Sequence, residues 1–337
     1  MIVDRYYYNQ LNKQEQEIYK VFYKGLQDCK EIIPIKGSKG ITQETVYRIF
    51  TAISDDNPLI YYLNQSVISI AEDSNGNIAI CPKYFFTKEK IHEYNKKIQD
   101  TVNKLAVKLN LTEGSELDRE KKVHDYLCNN VVYDYDGADM NDPAQVILSH
   151  NIIGVFAHRR AQCEGIAKAV KVLLNAVDVK CIIVSGKATT DDGRIVEHAW
   201  NMVNIDGIPS HLDVTWDIGA SKKDAISYDY YNVTDTQIKR NHRIFGKMPA
   251  CDSEKNNYFR MGDLVFKSRR AIKAYIEKGL KAGERMFYFR VDGSLKPQEI
   301  INDMAEFGGR IIQKQGCRGY CSQIMNVKMK TCRITFR

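Results

Sequence analysis

An α+β fold is expected, and three features of the sequence carry that expectation. The first third reads as helices interrupted by one pair of strands. The middle reads as a strongly apolar helix followed by a hairpin. The last quarter mixes short strands with helices. Helical and strand patterns are segregated along the chain and do not alternate as β-α-β units, which is the α+β arrangement. The 337 residues allow two or three domains at roughly 100–200 residues each. The expected division is a mostly helical region with a β-hairpin (1–111), a central domain (112–245) and a small basic α+β domain (246–337).

The N-terminal region opens with helical patterns over residues 13–29 and 42–54. Two strand-like runs, 66–71 and 78–82, flank Ser74-Asn-Gly76-Asn. An Asn-Gly step between apolar runs is a hairpin signal. A long helical stretch covers 88–109. Ser115 precedes acidic residues that suit the positive end of a helix, and Val123, Leu127 and Val131 continue its apolar stripe. Asp142-Pro143 predicts another short helix, with Asp as cap and Pro at the first turn. Beyond a linker at 246–251, residues 271–282 and 297–307 read as helices, and 285–291, 310–314 and 332–336 read as strands. Tyr6-Tyr-Tyr8 reads as packing or an edge strand.

Composition narrows the function classes. With 44% hydrophobic and 27% charged residues the chain is an ordinary globular one. No apolar run approaches the ~18–20 residues of a membrane span. The start, Met1-Ile-Val-Asp-Arg, lacks a leader pattern; a trimmed exported chain would look the same, so localisation stays open. The net charge of +7 is unevenly placed: residues 246–337 hold 19 Lys+Arg against 9 Asp+Glu. This skew permits contact with an acidic polymer, such as a cell-wall polyanion, or with an anionic membrane. The simpler reading, a soluble domain with a solvated basic surface, is preferred, and no specific nucleic-acid partner is predicted. Nine scattered cysteines do not form a disulfide framework. Cys317, Cys321 and Cys332 lack an obvious fourth zinc ligand, so neither a metal nor a cofactor is expected.

Cys163 stands apart from the other cysteines. Gln162-Cys163-Glu164-Gly165 opens a helix, 166–177, with too many apolar residues for a narrow stripe, so the helix is expected to be buried. The N-terminus of a helix stabilises a thiolate and offers backbone N–H groups to an oxyanion. Arg159 and Arg160 add positive charge nearby. Downstream, Asp206-Gly207 predicts a two-residue hairpin turn in which paired residue numbers sum to 413. Trp200 would then face Asp213, and His198 would face Thr215. His198, Trp200 and Asp213 share a face, with His198 and Asp213 as diagonal neighbours on the order of 7–8 Å apart. A thiol, an imidazole and a carboxylate in that order form a nucleophile, a base and an orienting group.

These residues resemble the transglutaminase-like superfamily, in particular its bacterial, clostridial-type members. The resemblance is carried by Arg160-Ala-Gln-Cys163-Glu-Gly-Ile-Ala-Lys-Ala, Val179-Lys-Cys-Ile-Ile-Val-Ser-Gly186, His198-Ala-Trp-Asn201 and His211-Leu-Asp-Val-Thr-Trp-Asp217. Val131-Val-Tyr133-Asp134 and the tail from Tyr231 through Asn241-His242-Arg243 extend it over about 116–245. It implies a papain-like core, a nucleophile helix packed on an antiparallel sheet, and a triad of Cys163, His198 and Asp213. It also implies an oxyanion or cleft role for one of Gln162, Tyr133 or Tyr135. Trp200 is a candidate wall of the cleft, though Trp200 and Trp216 read first as structural. The expected activity is thiol-dependent acyl transfer on peptide or protein amides, with a cysteine protease or amidase favoured over a crosslinking transglutaminase. The competing expectation is a catalytically inactive module that binds through the same cleft, targeted by its basic C-terminal domain.

Overall fold

The computed structural model describes residues 5–137, 143–222, 225–316 and 320–337. The N-terminal region contains α1 (Lys13–Gln27), β1 (Ile33–Ile35), α2 (Gln43–Asp56), β2 (Leu63–Glu72), β3 (Ile78–Tyr84) and α3 (Lys88–Lys108). Its strands form an antiparallel sheet in the order β1-β3-β2. Asn12 and Glu15 close a reciprocal capping box at the start of α1, which satisfies N–H groups that a helix start leaves open. Tyr6–Tyr8 form no edge strand. Tyr7 donates its hydroxyl to the carbonyl of Ile183 and Tyr6 to that of Lys247, at 2.7 Å for the latter, so the aromatic start is packing.

The central region runs through α4 (Glu116–Asn130), β4 (Val132–Tyr133), α5 (Pro143–Ser149), β5 (Arg160–Ala161) and α6 (Cys163–Asn175). It continues with β6 (Lys180–Thr189), β7 (Ile195–Ile205), β8 (Ile208–Leu212), α7 (Val214–Ala220), α8 (Asp235–Ile238) and β9 (His242–Ile244). Helix α5 lies where Asp142-Pro143 predicts one, while Asp142 falls outside the described residues. Ser115 and Asp118 form the capping box of α4. Four antiparallel strands follow the order β8-β7-β6-β9, and α6 packs on β6 and β7. The turn at Asp206-Gly207, both in the left-handed region, pairs Ile205 with Ile208 and Asn201 with Leu212, the register expected from sequence.

That register ends one residue before the expected partner of Trp200. Asp213 leaves the strand and caps α7 by accepting the N–H of Trp216 at 3.1 Å, so Thr215 is helical and does not face His198. An Asp three residues ahead of a free helix N–H is a favoured N-cap, and here it starts α7 in place of a further strand pair.

The last region holds α9 (Tyr258–Met261), β10 (Val265–Phe266), α10 (Arg269–Lys281), β11 (Met286–Val291), α11 (Pro297–Lys314), β12 (Cys321–Asn326) and β13 (Thr331–Phe336). Its sheet has the order β10-β11-β13-β12. The strand expected at 310–314 does not exist: those residues continue α11. Ile301, Met304, Ala305, Gly308 and Ile312 form one buried helical row. Gly308 marks a close approach and not a break, since a Cβ there would meet the Phe336 ring at 2.2 Å. Cys321 pairs with Phe336 and Cys332 with Met325, so the two cysteines lie four positions apart along the hairpin and cannot share an ion. Cys317 lies outside the described residues.

One continuous apolar cluster joins Phe22 of α1, Ile53 of α2 and Leu127 of α4 to Ile166, Val170 and Leu174 of α6. The N-terminal helices and the nucleophile helix therefore bury each other. A separate cluster, including Ile276, Phe289, Met304 and Ile334, lies between the C-terminal sheet and its two long helices. The other face of that sheet is polar and docks on the central region. Tyr288 and Thr331 donate to Asp229 at 2.5 and 2.6 Å, and the Arg333 guanidinium donates to the carbonyls of Ala225 and Ala220. Part of the basic excess is paired: buried Arg290 with Glu254, and exposed Arg310 with Glu306.

One buried acid joins α4 to the segment after α7. Glu120 is fully buried and accepts from Asn232 at 2.8 Å and Tyr231 at 3.2 Å, while Glu120 Oε1 and Asn232 Oδ1 have no partner among the described residues. Burial pushes its carboxyl up to about 7, against the opposing pull of Asn232, His124 and Tyr231. The folded protein thus prefers the protonated acid, and ionising it costs stability progressively as pH rises from the unfolded value toward about 7. Glu120→Gln should therefore gain thermal stability over wild type as pH rises from 4.5 to 8, by several degrees. A melting-temperature difference flat in pH would count against this.

Candidate active site

The site begins at the N-terminus of α6. Gln162 N–H donates to the carbonyl of Ser149 at 2.7 Å, which pins the approach to Cys163. Gln162 occupies the N-cap position without a side-chain capping bond, and its amide donates instead to the carbonyl of Asp134 at 3.2 Å. Buried α6 carries its first turn to the edge of the central sheet. Arg160 does not deliver its charge to the thiol. It is committed to Asp134 at 2.7 Å and Asp136 at 2.5 Å, and Arg159 is exposed in a left-handed conformation.

His198 lies on β7 opposite Gly186 of β6. A Cβ at position 186 would meet the carbonyl oxygen of Arg243 at 2.2 Å and the Trp200 ring at 2.8 Å. Glycine there lets β9 and the indole close in behind the histidine. His198 is buried, stacks on Trp200 with 5.8 Å between centroids, and has its Nε2 at 2.7 Å from Asp213 Oδ2. Cys163 is close enough to contribute to the electrostatics of the ring, and with Nε2 committed to Asp213 the free nitrogen is Nδ1. Burial alone would pull this imidazolium down. The charge and hydrogen bond of Asp213, with the contribution of Cys163, outweigh it and push the group up to about 10. For Asp213, burial opposes ionisation, but His198 and His242 hold the carboxyl well below the usual range.

His242, at the start of β9, was not singled out from sequence. Its Nε2 lies 3.1 Å from the same Asp213 Oδ2. The donor atoms of His198, Asp213 and His242 fall within 4.8 Å of one another, but each is engaged in a hydrogen bond inside the group. In a second group, His211, Asp235 and Cys251, the first two bond each other while the Cys251 thiol donates to the carbonyl of Pro249. His211 Nε2 lies 3.0 Å from Asp235, and its Nδ1 accepts the Trp200 indole N–H at 3.1 Å, which fixes a neutral ring with Nε2 protonated.

A cleft of about 580 Å³ opens above His198. Gln162, which precedes Cys163 in the chain, and His198 both line it, together with Tyr133, Tyr135, Trp216 and Tyr230. Tyr133 is held protonated by burial first and by the neighbouring Cys163 charge second. Trp200, a candidate cleft wall, is only 1% exposed and forms the floor beneath His198; Trp216 takes the wall instead. Asn326, from the end of β12, also lines the cleft and donates to the Tyr230 hydroxyl at 3.4 Å. It lies in the C-terminal region, so no local motif could point to it.

Residues 103–213 match the family model described as the transglutaminase-like superfamily, and this segment is a transglutaminase-like domain with an α+β papain-like core. Among solved structures, a transglutaminase is 20% identical with a TM-score of 0.31, covering 48% of this chain and 46% of that one. A candidate protease from Parabacteroides distasonis is 15% identical with a TM-score of 0.26, covering 44% of this chain and 36% of that one. A candidate cysteine protease from Cytophaga hutchinsonii is 13% identical with a TM-score of 0.27, covering 55% and 73%. The chain thus spans less than half the length of the first two. No curated protein matches it. Among the described residues, no helix is long and apolar enough to cross a membrane.

The close approach at Gly186 yields a test of how the site is held. Gly186→Ala should force Trp200 and β9 apart. The expected outcome is a melting temperature several degrees lower and slower alkylation of Cys163, in line with an overpacking cost of about 1–3 kcal/mol. Unchanged values for both would mean the sheet absorbs the methyl group elsewhere.

Proposed function

We propose that the protein is a thiol-dependent acyl-transfer enzyme acting on peptide or protein amides. The single observation that carries this is the placement of His198 at the mouth of a cleft, near Cys163 and with its Nε2 bonded to a buried, ionised Asp213. A buried imidazolium beside a thiol favours the thiolate, the reactive form.

In this mechanism the Cys163 sulfur adds to the substrate carbonyl and a C–S bond forms. Backbone N–H groups at the start of α6 stabilise the developing oxyanion, with Gln162 and Tyr133 placed to assist from the cleft wall. His198 passes its proton to the leaving amine as the C–N bond breaks, leaving a thioester. The neutral ring then takes a proton from the acceptor, which attacks the thioester and releases the thiolate. Water is the favoured acceptor, making the enzyme a cysteine protease or amidase. The rim residues Asp191, Arg194 and Glu197 are exposed and polar, so solvent reaches the acyl group. A lysine amine as acceptor would make it a crosslinking enzyme.

Alkylation by iodoacetamide tests the mechanism without a known substrate. Cys163 should label fast at neutral pH; Cys163→Ala should abolish that labelling, and His198→Ala should slow it by about 10²–10⁴-fold. Labelling of wild type at the rate of an ordinary exposed thiol would sink the enzymatic assignment in favour of a binding module. Products from a peptide amide with and without an added primary amine then distinguish hydrolysis from transfer.

The sign of the pH dependence follows from the same pair. The folded-state rise of His198 stabilises the protein fully below the unfolded value of 6.5, and that contribution is lost as pH climbs through about 10. Wild type should lose more thermal stability between pH 7 and 10.5 than His198→Gln does. Parallel melting curves for the two proteins would contradict the buried ion pair.

A further inference from the structure

We propose that His242 is a positioning residue of the active site, holding the Asp213 carboxylate in place for His198 and drawing off part of its charge. The inference deepens the enzymatic assignment above and rests on it. Asp213 is fully buried, and its Oδ2 faces two imidazole nitrogens at once, His198 Nε2 at 2.7 Å and His242 Nε2 at 3.1 Å. Its Oδ1 accepts the N–H of Trp216. The carboxylate is therefore fixed from three sides, by β7, β9 and α7. Without His242 it would be held by the reacting histidine and one backbone group alone.

His242 is itself fixed. Its ring packs against Trp200, Trp216 and Tyr230, with centroids 5.0, 4.7 and 5.7 Å away. The titratable groups facing it are Asp213, His198 and the Tyr230 hydroxyl, and burial favours its neutral form. A neutral ring that donates from Nε2 must accept at Nδ1. That nitrogen lies 2.8 Å from Asn241 Oδ1, and Asn241 Nδ2 lies 2.7 Å from the Tyr230 hydroxyl. An Asn amide reads equally well with its oxygen and nitrogen exchanged. With Nδ2 toward His242 and Oδ1 accepting from Tyr230, every group in the chain Tyr230–Asn241–His242–Asp213 is satisfied. The relay fixes the His242 tautomer, and thereby supplies Asp213 with a second donor that carries no net charge. A second cation would compete with the His198 imidazolium; a neutral donor does not.

The full chain tests this through the pH profile of Cys163 alkylation by iodoacetamide. Gln places an amide N–H at the same number of bonds from the backbone as His Nε2, so His242→Gln should keep the wild-type profile. His242→Phe removes the donor and loads its share of the Asp213 charge onto His198. Its alkaline limb should move up by about one pH unit, with the maximal rate falling about tenfold. Identical profiles for wild type and His242→Phe would overturn the proposal, as would a shift in His242→Gln equal to that in His242→Phe. Nitrogen NMR of the wild-type chain labelled in histidine supplies an independent readout, with His242 signals identified by their loss in His242→Gln. A neutral ring protonated at Nε2 from pH 5 to 8 is expected, and an imidazolium or the opposite tautomer would refute it. Failure of both variants to fold would assign His242 to packing and also overturn it. Slow alkylation of wild type removes the enzymatic assignment separately, since the NMR result still decides the bond between His242 and Asp213.

Discussion

A carboxylate without water must be surrounded by donors, and Asp213 is such a carboxylate. It sits at the junction of β8 and α7 with no exposure, and it remains ionised because two imidazoles and the first turn of α7 supply the hydrogen bonds that solvent would otherwise provide. An unpaired buried charge costs several kcal/mol. The three elements that bear those donors are therefore not free to drift. β7 must hold His198, β9 must run close enough to present His242, and α7 must start where its N–H groups can reach the acid. Gly186 belongs to the same constraint, since any side chain there would separate β6 from β9 and lift the indole that supports His198.

Cys163, the proposed nucleophile, is placed by a different force. Cys163 opens a helix whose remaining residues are buried among the N-terminal helices on one side and the central sheet on the other. Hydrophobic burial is non-directional, but a close-packed helix has little room to shift. The N-terminal region, none of whose described residues lines the cleft, thus helps to hold α6 and Cys163 in position. Beneath His198, the chain Trp200–His211–Asp235 continues the ordering two layers further, each polar atom satisfied by the next. A parallel network at α4, where His124 lies between Asp125 and Asp217, secures α7 from its other end.

The C-terminal region is joined both by apolar contact, through Phe259, Tyr288 and Met329, and by buried polar bonds. Asp229, fully enclosed, gathers the hydroxyls of Tyr288 and Thr331, and Arg333 reaches two carbonyls near the end of α7. Bonds of this kind fix orientation more tightly than apolar contact does, because each depends on direction as well as distance. Their consequence is that Asn326, at the tip of β12, becomes part of the cleft. The outer wall seen by a substrate is therefore built partly by a region that contains none of the reacting groups.

Much of this was legible in the residues themselves. The Asp206-Gly207 turn admits one tight register, and that register alone brings His198 and Asp213 together; the capping signals at Asn12 and Ser115 start the helices they should, and the apolar excess of 166–177 marks a buried helix. These are short-range matters, decided by backbone sterics, side-chain alternation and hydrogen bonds a few residues apart. Other features depended on groups distant in the chain. Whether 310–314 forms a strand or prolongs a helix turns on Phe336, whose ring occupies the space beside Gly308. Arg160 is drawn from the thiol by Asp134 and Asp136, Trp200 sinks to the floor because His211 accepts its N–H, and His242 and Asn326 reach the site only because β9 and β12 are carried there by pairing and docking. Local geometry brings His198 and Asp213 to notice; burial and long-range pairing decide what surrounds them.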